Sequence, residues 1–226
     1  MTSNINESST TMDVCFDILR KLRKRDVVAP TVEETKLIAA NITDKEEGES
    51  LALGSREVAE RLCKQKDRNL REAGIFLLKE LSRHGDPYAK LAHAWLRWKK
   101  GPLKNHPHAL ELIDELLEYP WLEREWPYCQ YVRAKVGEVY LLKGLLLFRG
   151  DKVKRNYGVA LDHFYFAGFH CPSGEAAWLF AQFHAQNAKG DFAGKAKPQA
   201  ALYQAAMARA EALGYVVETH VEGEEA

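Results

Sequence analysis

The sequence predicts an all-α protein built from stacked helix pairs. Three observations carry that expectation. Apolar residues recur at steps of three and four rather than alternating, which is the period of a helical face and not of a strand. Turns containing proline or glycine, such as Gly85-Asp86-Pro87 and Cys171-Pro172-Ser173-Gly174, separate the helical stretches. Ala73, Ala109, Ala160 and Ala201 recur at intervals of 36, 51 and 41 residues, near the period of two-helix repeats.

The clearest unit spans residues 145–184. Gly150 and Asp151 open a polar turn, and Asn156 is placed to cap the following helix by accepting a hydrogen bond from a free backbone N–H. Val153, Tyr157, Ala160, Leu161, Phe164 and Ala167 then follow with helical spacing. Ala160 and Ala167 are small enough to let a neighbouring helix come close. Cys171-Pro172-Ser173-Gly174 ends the helix, because proline cannot extend it and glycine permits a sharp turn. Ser173 is placed to cap the next helix, which carries Ala176, Ala177, Trp178, Phe180, Ala181 and Phe183. Ala160, Leu161, Phe164, Ala167 and Phe180 are the predicted core of the unit.

This pattern resembles the Sel1-like repeat, a relative of the tetratricopeptide repeat. Val153, Tyr157, Ala160-Leu161, Phe164 and Ala167 match its first helix here, and Ala176, Phe180 and Ala181 its second. Asn156 stands where the family has an acidic residue, His163 where it has an aromatic, and Gly168 where it has a second alanine. The resemblance implies a right-handed α-solenoid of three to four helix pairs over residues 51–217. In that fold the first helix of each pair lines a concave groove. Helical phase then nominates Lys90, His93 and Arg97, next Tyr131, Lys135 and Glu138, and last Ala177, Gln182 and Gln186 as residues that contact a peptide or helix of a partner protein.

The rest of the chain reads in order. Residues 1–12 are rich in Ser, Thr and Asn and are expected to be disordered. Over residues 14–28, Val14, Phe16, Ile18, Leu19 and Leu22 share a helical face, and Arg20, Lys21, Arg23, Lys24 and Arg25 form a basic run. Such a run at a helix end complements the C-terminal dipole; the alternative is an electrostatic contact with nucleic acid or lipid. Ala29-Pro30 interrupts, and Thr31 with Glu34 signals a capping box. The acidic stretch 44–50 reads as a linker, making residues 13–50 an arm distinct from the repeats. Helices are expected over 55–67, 68–85, 86–101 (started by Asp86-Pro87 and stopped by Gly101), 106–120 (stopped by Pro120), 121–144 and 197–215, with an acidic tail at 218–226.

Composition bounds the function. Of 226 residues 46% are hydrophobic, enough for a folded core, and 32 basic residues balance 32 acidic ones. No global field therefore draws the chain to nucleic acid or an anionic membrane. No apolar run approaches the roughly 18 residues of a membrane span, and the polar N-terminus lacks the layout of a signal peptide. Cys15, Cys63, Cys129 and Cys171 form no CxxC pair, which suits reduced thiols in a cytoplasm, here a bacterial one.

No sequence feature points to catalysis or to a cofactor. Phosphate-binding, dinucleotide-binding, nucleophile-elbow and metalloprotease motifs are all absent. His163, His170, Cys171 and His184 fall within one repeat but lack the ligand spacing of a structural zinc site, so they are read as packing residues and no metal is expected. His106 and His108, two apart, do not share a helical face. Trp95 and Trp98 flank Arg97, and these residue types are enriched at binding hot spots as well as in helix packing. The reading is an adaptor or scaffold that binds another protein and is not an enzyme. The alternatives are an RNA-binding helical repeat using the basic N-terminal helix, disfavoured by the zero net charge, and a metal- or redox-responsive regulator using the histidines and Cys171.

Overall fold

A computed structural model of the chain describes residues 4–24, 28–42, 47–99, 103–118 and 130–215. Those residues form ten α-helices, one π-helical turn and one short 3-10 turn, and no strand. The chain divides into two compact units, Met1–Lys104 and Asn105–Ala226. None of the helices is long and apolar enough to cross a membrane.

The first unit holds α1 (Asn4–Leu22), α2 (Val32–Asn41), α3 (Glu47–Cys63), α4 (Arg68–Arg83) and α5 (Pro87–Trp98). Here the structure departs from the expected boundaries. Helix α1 begins at Asn4, inside the stretch whose composition suggested disorder. Met12, Cys15, Ile18, Leu19 and Leu22 are all buried and share one core with Ile38, Ala39, Leu51, Val58, Leu62 and Leu77. Tertiary packing of an apolar stripe supplies what the polar composition lacks. The arm is also tied at its end, because the Arg61 guanidinium donates to the Leu22 carbonyl and to the Arg23 carbonyl at 3.2 Å. These contacts satisfy carbonyls that a helix C-terminus leaves free. The units thus divide between Lys104 and Asn105, not at residue 50.

Local signals start the helices where the sequence places them. Thr31 Oγ1 accepts from Glu34 N–H at 3.1 Å and Glu34 Oε2 accepts from Thr31 N–H at 2.8 Å, a reciprocal capping box. Gly85 turns the chain with φ 92°, a conformation that costs glycine little. Asp86 then caps α5, its Oδ1 accepting from Tyr88 N–H at 2.9 Å and Ala89 N–H at 3.2 Å. Arg56 on α3 grips the same carboxylate at 2.8 and 2.7 Å, so the α4–α5 turn is bound to α3 through a buried ion pair. Helices α3 and α4 come together at Gly74, where a Cβ would lie 2.7 Å from the Ala59 carbonyl oxygen. Gly101, Pro120, Trp121, Trp126, Cys129 and the tail 218–226 lie outside the described residues.

The second unit holds α6 (His106–Leu117), α7 (Gln130–Arg149), α8 (Tyr157–Tyr165), α9 (Gly174–His184) and α10 (Ala200–Ala212). Asn105, Asn156 and Ser173 cap α6, α8 and α9 by accepting from His108, Val159 and Ala176 N–H groups. Helix α8 therefore starts at Tyr157, and Val153 belongs to the turn before it. Its last turn widens into a π-helical turn, Phe166–His170. Helix α7 packs on α6 and α8, and α9 on α8 and α10. Phe148 is the hub of the core, with ring centroids 5.0 Å from Phe183, 5.0 Å from Phe192 and 6.3 Å from Phe164.

The predicted core of this unit is found with one exception. Ala160, Phe164, Ala167 and Phe180 are buried, whereas Leu161 is half-buried. The buried stripe runs 160, 164, 167, and Leu161 lies one residue, about 100° of helix, away from it. The alanine register also drifts. Ala109 and Ala160 are buried, but Ala73 is half-buried beside buried Gly74, and Ala201 is exposed while Ala206 and Ala210 carry the α10 contact.

The packing of α1 and α2 yields a test. Deleting residues 1–50 removes Ile18, Leu19, Leu22 and Ile38 from the first unit's core. Burial of four such side chains contributes on the order of 10 kcal/mol, the size of a whole domain's stability. The truncated chain should lose the cooperative urea transition of the first unit and bind a hydrophobic dye. A retained, fully cooperative transition would show that the arm lies outside the core.

Candidate functional site

The nominated contact residues fall into three groups. On α5, Lys90 is half-buried, His93 is buried at 2% exposure and Arg97 is half-buried. Arg97 Nε donates to His93 Nε2 at 3.1 Å, and its guanidinium reaches the Leu103 carbonyl at 3.4 Å. This corrects the expectation for His93, which faces the interior and offers no surface. Arg97 spends hydrogen bonds on holding the segment after α5. Helical phase put His93 outward, and phase alone does not show which side of α5 its neighbours cover.

The α7 group is the most coherent. Tyr131 is 53% exposed. One turn on, Lys135 Nζ stands 5.8 Å from its ring centroid and 2.8 Å from Glu138 Oε1. These residues sit at i, i+4 and i+7, so they share one face. The adjacent face, one residue or about 100° round the helix, carries Val132 and Val136, buried against Cys171. A rigid helix thus presents an aromatic ring flanked by a cation and an anion. On α9, Gln182 is half-buried and Gln186, just beyond its end, is exposed. Ala177 is a second correction. It is fully buried, because Gly168 packs directly on its backbone.

The basic run of α1 is partly consumed within the chain. Arg20 pairs with Asp17 at 2.5 Å and Arg23 with Glu57 at 2.7 Å, while Lys21 and Lys24 are exposed. Two paired arginines leave a weak footprint for a phosphate backbone, whose binding scales with the number of cations that neutralise it.

Comparison with known proteins sets these helices in context. No protein-family model and no curated protein matches the chain. A Sel1 repeat protein from Oxalobacter formigenes superposes with a TM-score of 0.54 at 14% identity, covering 93% of this chain and 85% of that one. The chain has a Sel1-like repeat fold. An immunity protein from Pseudomonas aeruginosa aligns with a TM-score of 0.37 at 13% identity, over 90% of this chain and 82% of that one.

Within the Sel1-like unit the histidines and the cysteine go to different neighbours. His163 lies beside Tyr140, ring centroids 5.5 Å apart, and its Nε2 is buried without a hydrogen-bond partner. His170 is exposed and packs against Tyr165 and Phe166. His184 is buried with Nδ1 3.2 Å from the Lys197 carbonyl. Burial pushes the Cys171 thiol up to about 12 against the opposing pull of Arg133, and Cys63 up to about 11 through burial and Glu60. Thiols held protonated in this way are poor nucleophiles and poor redox sensors. Among the described residues, no group of three or more His, Cys, Asp or Glu side chains could hold a metal ion.

His163 supplies a pH test. Burial lowers its pKa from 6.5 to about 4, helped by Lys143 and opposed by Asp162 and Asp114. Lys143 and Asp114 themselves form an ion pair at 3.1 Å. With the folded pKa below the unfolded one, the unfolded chain takes up the proton first. The neutral imidazole is therefore compatible with the fold above pH 6.5, and stability drains as pH falls from there toward 4. Comparing urea unfolding at about pH 7.5 and about pH 5, the wild type should lose about 1 kcal/mol more than His163→Phe, the full linkage value of about 2 kcal/mol being reduced for partial solvent screening. Equal losses in both chains would show that His163 titrates normally.

Proposed function

We propose that the protein is an interaction module that binds a peptide or helix of another protein along the groove-lining helices of its second unit, with the Tyr131–Lys135–Glu138 face of α7 as the principal contact. One observation supports this most directly: a large aromatic ring stands 53% exposed on a helix whose other face is buried. Burying such a ring on binding yields much apolar area at little conformational cost, because Tyr has two side-chain torsions and the helix beneath is fixed. Lys135 and Glu138 would give the polar rim that sets orientation. Gln182 and Gln186 extend the same proposal to α9; Lys90 on α5 is a separate candidate contact within the first unit. The Sel1-like fold agrees with this reading, since stacked repeats offer extended surfaces to partners. We place the protein in the cytoplasm of a bacterium, where the free thiols of Cys15, Cys63 and Cys171 stay reduced.

The experiment has two steps. Tagged full-length chain captures a partner, and the purified pair is then titrated calorimetrically. Tyr131→Ala and Lys135→Ala should each leave thermal unfolding within about 1 kcal/mol of wild type. Tyr131→Ala should weaken the partner about tenfold or more, the roughly 1.4 kcal/mol scale of a hot spot. Arg97→Ala is not an equivalent probe, because it also removes the hydrogen bonds to His93 and Leu103. Unchanged affinity in a Tyr131→Ala/Lys135→Ala double variant would move the contact off this face.

A further inference from the structure

Two loops of the second unit carry cations that the α7 face does not use. Lys152, Lys154 and Arg155 lie between α7 and α8; Lys189, Lys195 and Lys197 lie between α9 and α10; all six are exposed. The loops meet at Tyr157. Lys195 Nζ stands 4.4 Å from its ring centroid, and Arg155, two residues before the tyrosine, together with Lys195 holds the phenol below the usual tyrosine range. Arg149, at the end of α7, lies over Phe148 and Phe192 at 4.9 and 5.5 Å and pairs with Asp191 at 3.0 Å. So Lys195 and Arg155 gather at Tyr157, while Arg149 nearby is shared between Asp191 and Glu175.

Both loops are held in place. Asp151 N–H donates to His106 Nδ1 at 2.6 Å and Asn156 N–H to the Leu147 carbonyl at 3.0 Å. Between them Lys152 takes the left-handed backbone, φ 59°. The second loop is anchored by buried Phe192, by Lys195 N–H on the Phe192 carbonyl at 3.2 Å, and by Gln199 N–H on the His184 carbonyl at 3.1 Å. Backbone already fixed before a ligand arrives loses little freedom on binding.

We propose that this loop pair docks an acidic segment of a partner protein, with a carboxylate of that segment accepting from Arg155 and Lys195 beside the Tyr157 ring. An ionised acceptor makes a stronger bond to guanidinium and ammonium than a neutral phenol does. The observations favour a peptide over a nucleic acid. The aromatic ring at the centre, Tyr157, has Lys195 over one face and an edge against Phe148, centroids 6.0 Å apart, so it offers no open platform for a base. The inference rests on the reading of the chain as a protein-interaction module and names the chemistry of one partner segment.

The test uses the full chain and a fluorescein-labelled decaglutamate peptide, read by fluorescence anisotropy. Saturable binding is expected, weaker at about 300 mM salt than at about 50 mM because the cations are exposed. Arg155→Glu/Lys195→Glu should weaken it about tenfold or more, whereas Lys21→Glu/Lys24→Glu, at and just beyond the end of α1, should leave it unchanged. All four side chains are exposed, and a thermal melt verifies that both variants fold. No saturable binding overturns the proposal, as does equal binding by Arg155→Glu/Lys195→Glu. A single-stranded oligonucleotide of equal charge that displaces the probe at lower concentration than unlabelled peptide does would overturn it in favour of nucleic acid. If the loop site fails while Tyr131→Ala still weakens the captured partner, only the loop site falls; if both fail, the interaction reading falls with it.

Discussion

Helix backbones in this protein approach one another at positions where a side chain has no room, and the remaining packing depends on that approach. A Cβ on Gly144 would sit 2.6 Å from the Phe164 ring, and one on Gly168 2.8 Å from both Cα and N of Ala177. Gly74 does the same for α3 and α4 against Ala59. Contacts this short are far inside van der Waals distance, so the glycine sets the spacing of each pair. Once α7 and α8 are that close, Phe164 must point past Gly144 into the cluster of Phe148, Phe183 and Phe192. Once the π-helical turn lies on α9, the Gly168 carbonyl is left facing α10, where Arg209 donates to it at 3.1 Å. Both units thus use a close-packed helix pair as their stiff element.

That stiffness bears on function. A helix fixed along one side by Val132, Val136 and Cys171 can show Tyr131 to solvent without losing its shape. Loops fixed by His106, Leu147 and Phe192 can hold Arg155 and Lys195 ready for an anion. The two surfaces differ in kind: the α7 face offers apolar area with a polar rim, and the loop pair offers charge. A partner segment with an apolar anchor and an acidic stretch has the chemistry to use both.

Much of the fold was legible in the sequence, because its determinants are local. Thr31–Glu34, Asp86-Pro87, Asn156 and Ser173 are capping signals that need only near neighbours, and each starts a helix where expected. The Ala160–Phe164–Ala167 stripe is likewise a matter of period. What escaped was tertiary. The polar composition of residues 1–12 concealed a helix, because its stability comes from burying Met12, Cys15 and Ile18 against α2 and α3. His93 and Ala177 were assigned to the surface by phase alone, and phase cannot tell which side of a helix its neighbours cover. The loop cations were visible as Lys-Val-Lys-Arg and Lys-Ala-Lys runs, but nothing in the sequence said that Lys195 of one loop lies over Tyr157 at the end of the other.

The close approach at Gly168 is best tested against a glycine that has space. Urea unfolding of Gly168→Ala should reveal a loss of about 1–3 kcal/mol, the cost of overpacking against a backbone that cannot move aside. Gly158→Ala, in the first turn of α8, places a methyl whose nearest neighbour is Asn156 Oδ1 at 3.8 Å, and should be neutral or stabilise by up to about 1 kcal/mol through helix propensity and reduced unfolded-state freedom. A Gly168→Ala protein as stable as wild type, or one that gains as much as Gly158→Ala, would contradict the claim that these small-residue contacts set the helix spacing.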